Sequence, residues 1–139
     1  MVENTSGKFN TVMVIDDNNI DLYINARMIE TNGFSKNVLR HSSAKSALEY
    51  LNENQENPEM LPQIILVDIY MPMMSGFEFM EAYDKFSPTL KDYCRAYIVS
   101  SSIDDNDIAR ANNDPNVVAF QEKPVTKAFL ESISVDNNL

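Results

Sequence analysis

Five short apolar runs, each followed by a stretch of helical periodicity, do most to limit what this chain can fold into. They occupy residues 11–15, 37–41, 64–67, 96–100 and 117–121. Val12-Met13-Val14-Ile15 and Ile64-Ile65-Leu66-Val67 have no polar side at all. A strand apolar on both sides must be covered on both sides, as strands of a parallel sheet are. Ile20, Ile24 and Met28 lie four apart, with Leu22 and Ile29 widening an inward stripe, and Gly33 closes that helix. Ser42 or Ser43 caps a second helix with Ala44, Ala47, Leu48 and Leu51 inward. A third carries Phe77, Phe79, Met80 and Tyr83 and is closed by Ser87-Pro88. A fourth, short and polar, begins at Asp104 or Asp105, and the last bears Val125, Phe129, Leu130 and Ile133. Five strands alternating with five helices predict an α/β fold: a parallel sheet, doubly wound, with right-handed crossovers. Residues 53–63 and 87–95 read as surface insertions between elements.

Composition narrows the function. The 139 residues suit one domain, and 44% hydrophobic against 23% charged is a globular balance. A net charge of −10 argues against nucleic acid and against an anionic membrane surface. Cys94 is the only cysteine, so no intrachain disulfide forms, and with His41 the only histidine a Cys/His metal site is excluded. No signal peptide or membrane-length apolar run is present. A cytoplasmic domain is expected.

In a doubly wound sheet, function sits beyond the carboxyl ends of the strands. The first strand ends on Asp16-Asp17, the third on Asp68 and the fourth on Ser100, followed by Ser101 and Ser102; Lys123 follows the fifth. Each has a plain alternative: Asp16 and Asp17 as helix caps, Asp68 as a turn former, Ser100 as a strand-terminal serine, Lys123 as a solvated side chain. What carries weight is their coincidence. Converging carboxylates repel unless a positive charge lies among them, and oxygen-only donors select a hard cation such as Mg²⁺. A hydroxyl and an ammonium opposite are suited to phosphoryl oxygens.

With these residues in view, the chain resembles the receiver domain of two-component response regulators, the CheY-like family. The acidic pair Asp16-Asp17 matches. So does Asp68-Ile69-Tyr70-Met71-Pro72-Met73-Met74-Ser75-Gly76, with proline four and glycine eight residues past the aspartate. Ser100 stands at the hydroxyl position, and Lys123-Pro124 matches the family's lysine and following proline. The resemblance covers residues 11–133 and implies a flavodoxin-like sheet of strand order 2-1-3-4-5. It divides the chain into a flexible tail over 1–10, a receiver domain over 11–135 and a tail over 136–139.

It further implies that Asp68 accepts a phosphoryl group from a sensor histidine kinase or a histidine phosphotransfer protein. Mg²⁺ would be held by Asp16, Asp17, Asp68 and the backbone carbonyl of Tyr70. Lys123 would pair first with Asp68 and then with a phosphoryl oxygen, Ser100 would donate its hydroxyl, and Lys123–Pro124 is a candidate cis peptide. Phe120, three residues before the lysine, is the aromatic whose rotation would remodel the face of the fourth helix, fifth strand and fifth helix for a downstream protein. The domain itself is not an enzyme beyond its own phosphorylation and dephosphorylation, and a monomer or weak dimer is expected. After residue 133 no output domain follows, so output is expected by protein contact or phosphate relay, unless the chain is a piece of a longer protein. Tyr70 departs from the common pattern: a bulky aromatic bordering the path of hydrolytic water implies slow loss of the phosphoryl group. Two rivals stay open. One is a receiver-like interaction module that is never phosphorylated. The other is a small Mg²⁺-dependent aspartyl phosphatase of the haloacid-dehalogenase kind, which needs an Asp-x-Asp after the first strand where this chain has Asp16-Asp17.

Overall fold

The structure, a computed structural model, describes residues 8–101 and 104–133. The predicted tails therefore fall largely outside the described residues, as does Ser102. Five strands form one sheet: β1 (Phe9–Ile15), β2 (Ser35–His41), β3 (Ile64–Asp68), β4 (Arg95–Ser100) and β5 (Val117–Glu122). All pairings are parallel and the order is β2-β1-β3-β4-β5. The first strand starts two residues earlier than its apolar run, because Phe9 is buried and pairs with Ser35.

Strand alternation sorts the side chains into two cores. Met13, Ile15, Ile65, Val67, Ala96 and Ile98 belong to one; Val12, Val14, Ile64, Leu66, Tyr97 and Val99 belong to the other. The first core is covered by α2 (Ala44–Glu53), α3 (Gly76–Tyr83), α4 (Pro88–Tyr93) and α5 (Asp105–Asn112). The second is covered by α1 (Asn19–Thr31) and α6 (Lys127–Ser132). This is the doubly wound arrangement the alternating sequence predicts.

Three expectations need correction. There are six α-helices among the described residues, not five. The extra one is α4, where Ser87-Pro88 starts a helix: the Ser87 hydroxyl accepts from Leu90 N–H, and proline at the first position lacks only an N–H that has no helical partner anyway. Nor are 53–63 and 87–95 merely surface insertions. A 3₁₀ turn at Pro58–Met60 leads to Leu61, which is only 1% exposed, and α4 buries Leu90 completely, with Cys94 also buried at its end. Finally, α1 is rotated from the predicted phase. Its inward face is Asn25, Ala26 and Ile29, while Ile20 and Ile24 are 69% and 40% exposed. Among the described residues no helix is long and apolar enough to cross a membrane.

Candidate functional site

Register brings the strand ends together. Ile15 pairs with Val67, so Asp16 lies beside Asp68 at the junction of β1 and β3. Asp68 pairs with Val99, and Ser100 with Glu122, the residue before Lys123. This junction is also where the strand order reverses, which opens a crevice between helices that leave toward opposite faces. Asp16 and Asp68 continue the alternation of Val14 and Leu66, toward the α1 side of the sheet.

The residue that caps α1 is Asn18, whose side chain accepts from Ile20 and Asp21 N–H at 2.9 and 3.0 Å. Asp16 and Asp17 are thus not consumed in capping. Asp16 accepts one local bond, from Asn18 N–H at 3.0 Å, and is buried, while Asp17 is exposed. Asp68, at 6% exposure, ends β3. Behind it Gly76 opens α3, with its N–H donating to Ile69 O at 2.8 Å. A Cβ on Gly76 would lie 2.3 Å from the Asp68 carbonyl oxygen, so this close approach of helix to strand end requires glycine.

Lys123 closes the site from β5. Its Nζ lies 2.8 Å from Asp16 Oδ2, 2.9 Å from Asp21 Oδ2 and 3.2 Å from Asp68 Oδ1. Its backbone N–H donates to Ser100 O at 2.7 Å, and the Lys123–Pro124 peptide is cis. Burial works against the charge of Lys123, but the hydrogen bonds to Asp16 and Asp21 outweigh it and hold the ammonium above its ordinary pKa. Asp68 moves the other way for a carboxylate. Burial first, and the negative charge of Asp16 second, push it up to about 6 against the partial relief that Lys123 offers.

Ligand oxygens of Asp16, Asp17 and Asp68 all lie within 4.8 Å of one another. Lys123 pairs with three aspartates, Asp16, Asp21 and Asp68, while Asp17 adds a further carboxylate to the cluster, so Asp68 stays raised by its burial first and by the neighbouring negative charge second. The donors are all oxygen, two are buried, and Asp17 opens to solvent. Such a set fits a hard divalent cation that keeps part of its water shell.

Among the other predicted positions, Ser100 is fully buried at the end of β4, and Ser101 is exposed. Phe120 is partly buried against the core on the α5 side. The Tyr70 ring is 55% exposed, and its hydroxyl donates to Asp107 Oδ2 on α5. His41, partly buried with its ring beside the Ser46 hydroxyl, meets the site only through its backbone carbonyl, which accepts from Asp16 N–H at 3.0 Å, and Cys94, whose thiol burial pushes up to about 12, lies in the first core. Asp21 was not among the sequence candidates. Its signal is faint: an acid in the first turn after an acidic pair, at a position that faces the strand ends only if α1 has the right rotation.

Fold and site together define a doubly wound α/β domain with an acidic, cation-type site at the point where its strand order reverses. The sequence profile of the response regulator receiver domain matches residues 12–133, and the chain belongs to that family. A two-component response regulator from Cytophaga hutchinsonii shares the fold with a TM-score of 0.83 at 28% identity, covering 90% of this chain and 93% of that one. A receiver protein from Dyadobacter fermentans DSM 18053 gives 0.80 at 25%, covering 88% and 92%. A probable methanogenesis regulatory protein, FilR2, of Methanothrix harundinacea is 26% identical over 115 residues, which are 83% of this chain and 72% of that protein.

Proposed function

We propose that this receiver domain accepts a phosphoryl group on Asp68 from a phosphohistidine protein, either a sensor histidine kinase or a histidine phosphotransfer protein. The observation that carries this reading is the position of Lys123 Nζ, 3.2 Å from Asp68 Oδ1 and 2.8 Å from Asp16 Oδ2 within one acidic cluster. An Asp68 oxygen bonds to phosphorus as the phosphorus–nitrogen bond to the donor imidazole breaks, with the electron pair returning to nitrogen. Asp16, Asp17, Asp68 and the Tyr70 carbonyl are the residues that would hold Mg²⁺, which when bound neutralises charge on the phosphoryl oxygens. The third donor of Lys123 passes from Asp68 to a phosphoryl oxygen, and Ser100 donates its hydroxyl to another. An inward move of Ser100 would then leave room for Phe120 and remodel the face of α5, β5 and α6, where a downstream protein binds. The receiver unit spans 11–135, and the cytoplasm is the setting that fits it.

Intact-mass spectrometry after incubation with acetyl phosphate tests the reading. A gain of one phosphoryl group is expected with Mg²⁺, and none with EDTA or in Asp68→Asn. No gain in the folded wild type, from acetyl phosphate or from phosphohistidine donors, would leave an interaction module that works without phosphorylation.

A further inference from the structure

We infer that Asp21 is a positioning residue, which together with Asp16 fixes the Lys123 ammonium so that its remaining N–H faces Asp68. The inference rests on the reading of Asp68 as phosphoacceptor. A lysine ammonium has three N–H donors, and three carboxylates surround this one, at 2.8 Å (Asp16), 2.9 Å (Asp21) and 3.2 Å (Asp68). Asp68 changes chemically when a phosphoryl group arrives. Asp16 and Asp21 do not, so they keep their bonds while the third donor passes to a phosphoryl oxygen.

The rest of the segment is held in the same manner. Asp21 is fixed through its own N–H by the Asn18 side chain at 3.0 Å. One turn further along α1, the buried Asn25 accepts from Val125 N–H at 3.2 Å, two residues past the lysine. From the sheet side, Ser100 O accepts from Lys123 N–H at 2.7 Å. The backbone of Lys123 is therefore pinned by β4 and α1, and Asp21 extends that hold to the charged end of a side chain with four rotatable bonds. A donor aimed in advance needs no ordering when the phosphoryl group arrives. Without Asp21, the head of Lys123 has one unchanging anchor, Asp16. A different role, in which Asp21 only adds negative charge for a cation, would act without Lys123.

The test uses the full chain, acetyl phosphate and saturating Mg²⁺, with initial rates read by intact mass. In this reaction the Asp68 oxygen–phosphorus bond forms, the donor's phosphorus–oxygen bond breaks, and acetate leaves with the electron pair. Asp21→Ala is expected to slow phosphorylation by about tenfold, the loss of one orienting bond to a charged group. Asp21→Asn, which keeps an acceptor oxygen, should fall between the two and serves if the alanine variant folds poorly. In a Lys123→Ala background, Asp21→Ala should change nothing further. A phosphodonor-free measurement runs beside it: the ¹H–¹⁵N lysine ammonium spectrum should show a slowly exchanging Lys123 signal that Asp21→Ala removes. Equal rates for wild type and Asp21→Ala, or the same loss with and without Lys123, overturn the inference, as does an ammonium signal that persists in Asp21→Ala. If the wild type takes no phosphoryl group, the phosphoacceptor reading fails, and the ammonium signal alone decides whether Asp21 holds Lys123.

Discussion

Asp68 carries its charge at a cost to the fold. Its pKa is raised, by burial and then by Asp16, to about 6 from an ordinary 3.8. A carboxyl whose folded value lies above its unfolded value favours the folded state fully only below the unfolded value, and that advantage is lost as pH rises through the folded one. The shift corresponds to at most about 3 kcal/mol at neutral pH. Asp68→Asn, in protein stripped of divalent cations, is therefore expected to be more stable than wild type at pH 7.5. The gap should narrow through pH 6 and close near pH 4, as urea titrations at each pH will show; a gap that ignores pH contradicts the raised value. A cation at the same oxygens competes with the proton, so its affinity should weaken over the same interval. Asp16, Asp17, Asp68 and Lys123 were legible in the sequence because each falls where an apolar run stops, and parallel register aligns such stops. Asp21 was not legible: its contribution depends on the rotation of α1 about its own axis, which apolar spacing left undetermined.

That rotation is the clearest lesson at the scale of elements. Spacing puts Ile20, Ile24 and Met28 on one stripe that Leu22 and Ile29 widen, and only packing against β1 and β2 sets which side of it turns inward. The exposed stripe, Ile20, Tyr23 and Ile24, lies on the stretch of helix that also supplies Asp21. Ile20→Gln and Ile24→Gln are expected to move unfolding stability by less than about 0.5 kcal/mol, whereas Ile29→Ala should cost about 2–5 kcal/mol. Thermal melts of the two glutamine variants, with Ile29→Ala as the buried reference, distinguish this phase from the one the spacing suggested. α4 was hidden for a similar reason. Ser87-Pro88 carries both a stop signal for one helix and a start signal for the next, and only the burial of Leu90 decides the matter. A second pair of elements is joined across the site mouth, where the Tyr70 hydroxyl, on the loop after β3, donates to Asp107 on α5. On the proposal that Asp68 is the phosphoacceptor, this bond would hold the aromatic ring where it hinders water from reaching the phosphorylated carboxylate. Tyr70→Asn is expected to shorten the phosphoryl lifetime several-fold, and Tyr70→Phe, which keeps the ring but frees it from α5, to shorten it less. Decay followed by intact mass after removal of acetyl phosphate gives both values; equal lifetimes in all three proteins would remove Tyr70 from this role.

The whole molecule sets a general charge problem against a local one. A net charge of −10 spreads repulsion over the entire surface, and any added salt should relieve it by screening. Asp16, Asp21 and Asp68 crowd about Lys123, with Asp17 in the same carboxylate cluster, in a space too small for screening by a diffuse ion atmosphere. The two effects respond differently to the kind of ion. At equal ionic strength, NaCl and MgCl₂ should relieve the surface repulsion to a similar extent, but only Mg²⁺ gains further stability by occupying the acidic site. That surplus should grow with the logarithm of its concentration, reaching about 2.7 kcal/mol at one hundred times its dissociation constant. Asp17→Asn removes a carboxylate that is exposed and makes no cap, so it should leave the fold and the NaCl response intact while abolishing most of the Mg²⁺ surplus. Urea melts of wild type and Asp17→Asn in matched NaCl and MgCl₂ decide the point. A surplus that survives in Asp17→Asn would mean that Mg²⁺ acts on the acidic surface at large, and the strand-end cluster would lose its standing as the cation site.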